Sequence, residues 1–291
     1  MLHLGLSGNR RFRTCSVALV SAIAIGVTAT AADASPRNRG ARRLARAASA
    51  FAKEGSARIS GSIAIDVTTG TDAGQKISMP FSGSIDNRTK TGSFTFDPSG
   101  LGAPGMSGPV TEIFAGNALY MSTDAFGSQL TERLGGKHWL ELDLNKLGAG
   151  TSQAQQTDPT STLDALRGVS NDVQNLGHAT IRDVDTTHYQ ATLDPAKALT
   201  HVPPAQRPRV QSALSQFGGN TIPIDVWLDD NGVPRRYAIN MDVSKSGATV
   251  HVDESFDFYD FGTPVSVKVP APDDVADFSQ LQRLRQVGQA T

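Results

Sequence analysis

Histidines and paired carboxylates are the side chains here that could do chemistry, but their spacing assembles no catalytic or metal site. The five histidines after the N-terminal region are dispersed without ligand spacing, and such isolated rings are typically structural: His138, His178, His188, His201 and His251. The chain also has no Gly-x-Ser-x-Gly elbow, no phosphate-cradling glycine loop after a strand and no His-Glu-x-x-His. No catalytic residue, metal or cofactor is therefore expected.

Two pairs of adjacent aspartates lie in the C-terminal third. Asp229 and Asp230 could suggest a metal ligand set, but Asn231-Gly232 follows at once, and this order is typical of a turn between strands. The second pair, Asp273-Asp274, follows a Pro-Ala-Pro turn in the tail. Neither pair has the partners that acid/base catalysis needs.

The first 34 residues have the pattern of a secretory signal peptide. Three arginines precede an apolar run at 16–32, and Ala32-Asp33-Ala34 is a small-x-small cleavage signal. The single cysteine, Cys15, lies before the run, whereas a lipoprotein signal needs its cysteine just after it. We therefore expect a secreted or cell-envelope protein, and a lipid anchor is not expected.

Residues 35–291 are predicted to form a single domain, because no Pro/Ser/Gly linker divides them. With Cys15 removed, this part has no thiol, so its core must hold the fold without disulfides. The whole chain has 27 basic and 28 acidic residues, a balance that makes nucleic acid an unexpected partner. We expect a monomer.

A basic amphipathic helix is predicted at about 41–53. Arginines cluster at its start, while Leu44, Ala47, Ala48 and Phe51 fall at helical spacing. One interpretation is peripheral contact with an anionic membrane surface. The other is a solvated helix whose apolar stripe covers a sheet.

In most of the rest of the chain, apolar and polar residues alternate as they do in strands. Ile222, Ile224, Val226 and Leu228 sit at every second position before the Asp229 turn, and similar runs predict at least six short strands before residue 150. Helices are expected at 160–169 and 203–217, inserted between two sheet halves. The pattern predicts an α+β fold with a large antiparallel sheet.

Three segments resemble actinobacterial secreted proteins of the LprG/LppX type, which are similar to the wider LolA/LolB-like group of lipoprotein and lipid carriers. They are the runs at 183–189, at 222–236 and at 261–275, which ends in Val269-Pro270-Ala271-Pro272-Asp273-Asp274-Val275. The resemblance implies a strongly curved antiparallel sheet, an unclosed half-barrel, with helices on its concave face and an apolar cavity between. It further implies a carrier for a lipid, glycolipid or other long apolar ligand.

The residues expected to line the cavity lie on the apolar side of the predicted strands: Ile63, Ile65, Ile77, Met79, Phe81, Phe94, Phe96, Leu119, Met121, Leu140, Leu142, Ile239, Met241, Phe256 and Phe258. Any of these could instead be a plain core contact between sheet and helices. A second hypothesis is therefore a LolA-like scaffold with a filled cavity, acting through protein contacts in envelope assembly or sensing.

Overall fold

The computed structural model describes residues 39–70, 73–98, 108–143, 173–193, 221–245 and 247–280. The α-helices with both ends in these ranges are α1 at Arg39–Lys53 and α2 at Ser128–Arg133, and residues 278–280 are helical as well. Short 3-10 turns lie at Asp124–Phe126 and Pro272–Asp274. The strands are β1 Ser56–Thr69, β2 Lys76–Asp86, β3 Thr91–Phe96, β4 Val110–Ala115, β5 Ala118–Ser122, β6 Trp139–Asp143, β7 Gln174–Ile181, β8 Val184–Leu193, β9 Ile222–Leu228, β10 Pro234–Lys245, β11 Ala248–Tyr259 and β12 Val275–Asp277.

These strands form one open sheet in the order β12-β6-β5-β4-β3-β2-β1-β11-β10-β9-β8-β7. Strands β1 to β6 form one antiparallel meander and β7 to β11 form another, since within each group every strand pairs with its neighbours in sequence. The two meanders meet where β1 pairs antiparallel with β11. The short β12 is the exception, because it lies parallel to β6.

The predicted fold class is confirmed: the described chain is an unclosed sheet dominated by antiparallel pairs, with helix α1 packed on one of its faces. In the described ranges six strands precede residue 150, and β9 and β10 flank the predicted turn at Asp229. Sequence alternation did not predict β12, whose three residues are too few to show a period. The predicted signal peptide and the helices at 160–169 and 203–217 lie outside the described residues.

Helix α1 packs its apolar stripe on the sheet beside β10. Leu44 and Ala47 are fully buried, and the ring of Phe51 makes edge contacts with Phe258 at 5.1 Å and Phe261 at 5.8 Å between centroids. Arg43 Nη2 donates to the carbonyl oxygens of Asp229 and Asp230 at 3.1 and 3.3 Å. This packing agrees with the second interpretation of the basic helix, an apolar stripe that covers the sheet. No helix in the described part of the chain is long and apolar enough to cross a bilayer.

Two glycines let neighbouring strands approach closely on the face that α1 covers. A Cβ at Gly61 in β1 would meet the Ser255 carbonyl oxygen and would lie 2.6 Å from Cζ of Phe81. A Cβ at Gly83 in β2 would meet both the Ser93 carbonyl oxygen and the Phe94 ring. Glycines inside strands mark tight bends of this kind, and aromatic rings from adjacent strands cover them.

Candidate functional site

All fifteen residues predicted to line a cavity lie on one face of the sheet. Directly opposite residues of paired strands share a face, and the observed pairs run without a break from Leu140 and Leu142 in β6 to Ile239 and Met241 in β10. We call this side of the sheet the apolar face. It is the side that α1 covers beside β10.

The apolar face carries three buried clusters. One contains Phe94, Ile239, Met241, Phe256 and Phe258 with the stripe of α1, and Phe81 packs against it. Leu119, Leu140 and Leu142 form another beside α2, with Met121 against it. The third, on β1 and β2, is Ile65, Ile77 and Met79 with Ile63. Phe96 is half-buried and belongs to none of the three.

The structure thus brings the predicted residues together on one surface. Their role as the lining of a ligand cavity stays a prediction, because burial in a cluster is also what a plain core contact would show.

The apolar face also holds two carboxyl groups that the sequence analysis did not identify. Glu254 in β11 is opposite Ile63 and Ile239, and Glu112 in β4 is opposite Phe94 and Met121. Both side chains are buried, with 2% and 7% of their residue surface exposed. The sequence did contain a signal for both. Glu254 stands two residues from Val252 and from Phe256, and Glu112 stands two residues from Val110 and from Phe114, which is the spacing of residues on the same face of a strand.

The two carboxyl groups differ in their hydrogen bonds. Glu254 Oε1 accepts a hydrogen bond of 2.9 Å from the hydroxyl of Tyr237, whose ring stacks on Phe256 at 4.6 Å. Glu112 Oε2 is buried and has no hydrogen-bond partner among the described residues. Burial raises the pKa of Glu112 to about 7, and it raises the pKa of Glu254 to about 7 against the opposing effect of the Tyr237 hydrogen bond. Both groups are therefore readily protonated near neutral pH.

Three of the predicted structural histidines contact aspartates. His188 Nε2 lies 2.6 Å from Asp225 and its ring stacks on Trp227 at 4.1 Å, while His138 lies 2.6 Å from Asp124. His251 lies 2.8 Å from Asp242. Their placement differs from that of a catalytic dyad, because no serine or cysteine nucleophile is hydrogen-bonded to these three rings in the described chain.

The Asp229-Asp230 pair has the predicted turn role, but its two members differ. Asp229 is buried; its carboxylate accepts from the Val233 amide at 2.9 Å and from Arg235 at 2.8 and 2.9 Å. Asp230 is exposed. Within the described ranges, no group of three or more potential ligands is arranged to hold a metal ion.

The chain is similar to two streptomycete proteins. It is 27% identical over 232 residues to an uncharacterized 31.2 kDa protein of Streptomyces griseus, with 72% of each chain covered. It is 26% identical over 163 residues to a Streptomyces coelicolor protein described as a "putative lipoprotein". This second match covers 53% of the chain and spans only 47% of the relative. No family model matches the chain.

Among solved structures, the fold is similar to that of the Mycobacterium tuberculosis lipoprotein LppX. The TM-score is 0.43 at 13% sequence identity, with 79% of this chain and 98% of that chain covered. LppX is one of the proteins of the type that the segments at 183–189, 222–236 and 261–275 resemble.

Proposed function

We propose that this protein is a secreted or cell-envelope carrier that shields a lipid or another long apolar ligand against the apolar face, without covalent chemistry. The observation that carries the proposal is the apolar face itself, where fifteen aliphatic, aromatic and methionine side chains share one side of an unclosed sheet. An open sheet can leave room between its concave side and the segments that cover it.

The physical reason for such a carrier is the cost of exposing an acyl chain to water. At roughly 0.8 kcal/mol per methylene, a sixteen-carbon chain costs about 12 kcal/mol to expose. A protein that crosses an aqueous compartment with this ligand needs only an apolar surface that excludes water. Met79, Met121 and Met241 suit the purpose, because methionine adapts to irregular apolar shapes.

We also propose that residues 35–291 form one extracytoplasmic domain, released by cleavage after Ala34. The charge and cleavage pattern of residues 1–34 supports this, and so does the single sheet that joins strands from 56 to 277. N-terminal sequencing of the exported protein tests the cleavage site. An N-terminus that retains the apolar run would overturn the cleavage.

Extraction of the purified protein with organic solvent, followed by mass spectrometry, tests the carrier directly. The expected result is close to one lipid per protein. Met121→Trp fills space on the apolar face and should reduce the recovered lipid several-fold, whereas Tyr120→Trp changes the adjacent residue on the opposite face and should not.

The carrier proposal fails if no lipid is recovered from the wild-type protein and no acyl probe binds to it. A scaffold that acts through protein contacts would then be the better description. Circular dichroism and thermal unfolding of both variants establish that any loss of lipid does not reflect loss of the fold.

A further inference from the structure

Glu112 is a buried carboxyl group whose environment supplies no partner for one of its oxygens. It lies in β4 between the apolar residues Val110 and Phe114 of its own face, opposite Phe94 in β3 and Met121 in β5. Its Oε2 atom is shielded from solvent and makes no hydrogen bond within the ranges that the structure describes. Buried polar groups in folded proteins nearly always have partners, so an orphan of this kind calls for an explanation.

Glu254 shows what a purely structural carboxyl group looks like on the same face. It is equally buried, but Tyr237 in the adjacent strand donates to it at 2.9 Å. By contrast, no donor in the described part of the chain reaches Oε2 of Glu112, so a bound ligand could supply the missing partner. Because Phe94 and Met121, both on the predicted lining, flank Glu112, that partner would share the surface proposed for the ligand.

We propose that Glu112 is the polar anchor of the ligand site and hydrogen-bonds the head group of a neutral, hydroxyl-bearing acyl lipid. This inference rests on the proposed function. A hydroxyl or ester group can satisfy the orphan oxygen, which a hydrocarbon cannot do. An anionic head would place a second negative charge beside a carboxyl group in an apolar environment, and an ammonium head would require the desolvation of two ions.

The protonation behaviour of Glu112 is consistent with a neutral partner. Burial raises its pKa to about 7, so a large fraction of the protein carries the neutral carboxyl group at neutral pH. In that form Glu112 both donates and accepts, which suits a hydroxyl next to an ester carbonyl.

Displacement of the fluorescent hydrocarbon diphenylhexatriene tests the inference, with 1-oleoylglycerol, oleate, oleylamine and octadecene as competitors. Wild-type protein should bind the hydrocarbon and prefer 1-oleoylglycerol. Glu112→Leu should weaken 1-oleoylglycerol about tenfold, as expected for one lost hydrogen bond in an apolar site, and should leave the binding of diphenylhexatriene and octadecene unchanged.

Two further variants separate anchoring from folding. Glu112→Gln keeps a donor and an acceptor and should retain most of the affinity for 1-oleoylglycerol. Glu141→Gln makes the same change in β6, where Glu141 lies opposite Tyr120 on the other face of the sheet, and it should leave the order of the four competitors unaltered.

The outcomes distinguish this inference from the proposed function. If wild-type protein binds neither diphenylhexatriene nor any competitor, the carrier function is wrong and the anchor is wrong with it. If the hydrocarbons bind but Glu112→Leu leaves the affinity for 1-oleoylglycerol unchanged, only the anchor is overturned. A preference for oleate or oleylamine that Glu112→Leu abolishes would overturn the neutral head group.

Discussion

At the scale of residues, Asp229 joins three parts of the structure. Its carboxylate binds the Val233 amide and the guanidinium of Arg235, which lies over the Phe261 ring at 4.6 Å, and its carbonyl oxygen accepts from Arg43 of α1. What the sequence presented as turn chemistry is also the point where α1, the β9–β10 turn and the segment after β11 meet.

Asp229→Ala should therefore reduce the free energy of unfolding by about 3 kcal/mol, because it removes the charged partner of a largely buried arginine. Urea denaturation measures the change. Asp230→Ala, at the exposed neighbour in the same turn, should change stability by less than about 0.5 kcal/mol. Equal effects of the two substitutions would contradict the role of the Asp229 carboxylate in holding Arg235 and the turn.

The two buried glutamates make stability depend on pH. Their folded-state pKa of about 7 lies above the ordinary value of 4.5, so the folded protein binds more protons than the unfolded chain between these values. Stability should consequently fall as pH rises from about 4.5 to about 7 and then level off, by about 3 kcal/mol for each group.

Glu112→Gln should remove about half of this decline, because Glu254 is then the one of these two glutamates that still titrates. Unfolding free energies in urea at pH 5 and pH 8, for both proteins, provide the comparison. The same decline in wild type and variant would show that Glu112 is not buried as the structure has it.

At the scale of elements, the close approach of β1 to its neighbours depends on Gly61. A methyl group there would meet the Ser255 backbone and the Phe81 ring. Gly61→Ala should destabilise the protein by about 2 kcal/mol through overpacking. Ser62→Ala, one position along and on the opposite face, should have little effect in the same thermal unfolding experiment, and a stable Gly61→Ala protein would argue against the tight bend.

The alternation of apolar and polar residues predicted the antiparallel strands and the apolar side of each strand, because this alternation can be read within a single strand. It missed β12, which is defined by contacts from distant residues: Lys137 Nζ donates to the Val275 carbonyl oxygen at 2.6 Å and the His138 amide donates to Asp274 at 2.9 Å. It also missed the two glutamates. A charged residue in a strand is usually assigned to the solvent-facing side. The inward position of Glu254 and Glu112 follows only from their spacing of two residues from Val252 and Val110.

At the scale of the whole molecule, an open sheet must protect two edges from pairing with other chains. On one side β12 covers the edge of β6 with only three residues and buries Ala276 completely. On the other side the pairing of β7 shifts register between Asn175 and Gly177, and an irregular edge strand discourages further pairing. Both features would limit edge-to-edge pairing with another copy of the chain.

Truncation after residue 271 should therefore promote self-association, because it exposes the edge of β6 together with the cluster around Leu140. Light scattering across a concentration series would show the change as a rising mean mass, while the full chain keeps the mass of a monomer. A truncated protein that stays monomeric would mean that β12 has no protective role.

The seam between β1 and β11 has a consequence for how the chain folds. Every other antiparallel pair in the described sheet joins strands that follow one another in sequence, whereas Ser62 meets Ser255 across most of the chain. Closing so long a loop costs entropy before its contacts are gained, and topologies of this kind fold slowly. We expect the two meanders to gain structure early and the seam to close last, so that the slowest refolding phase reports the joining of two halves.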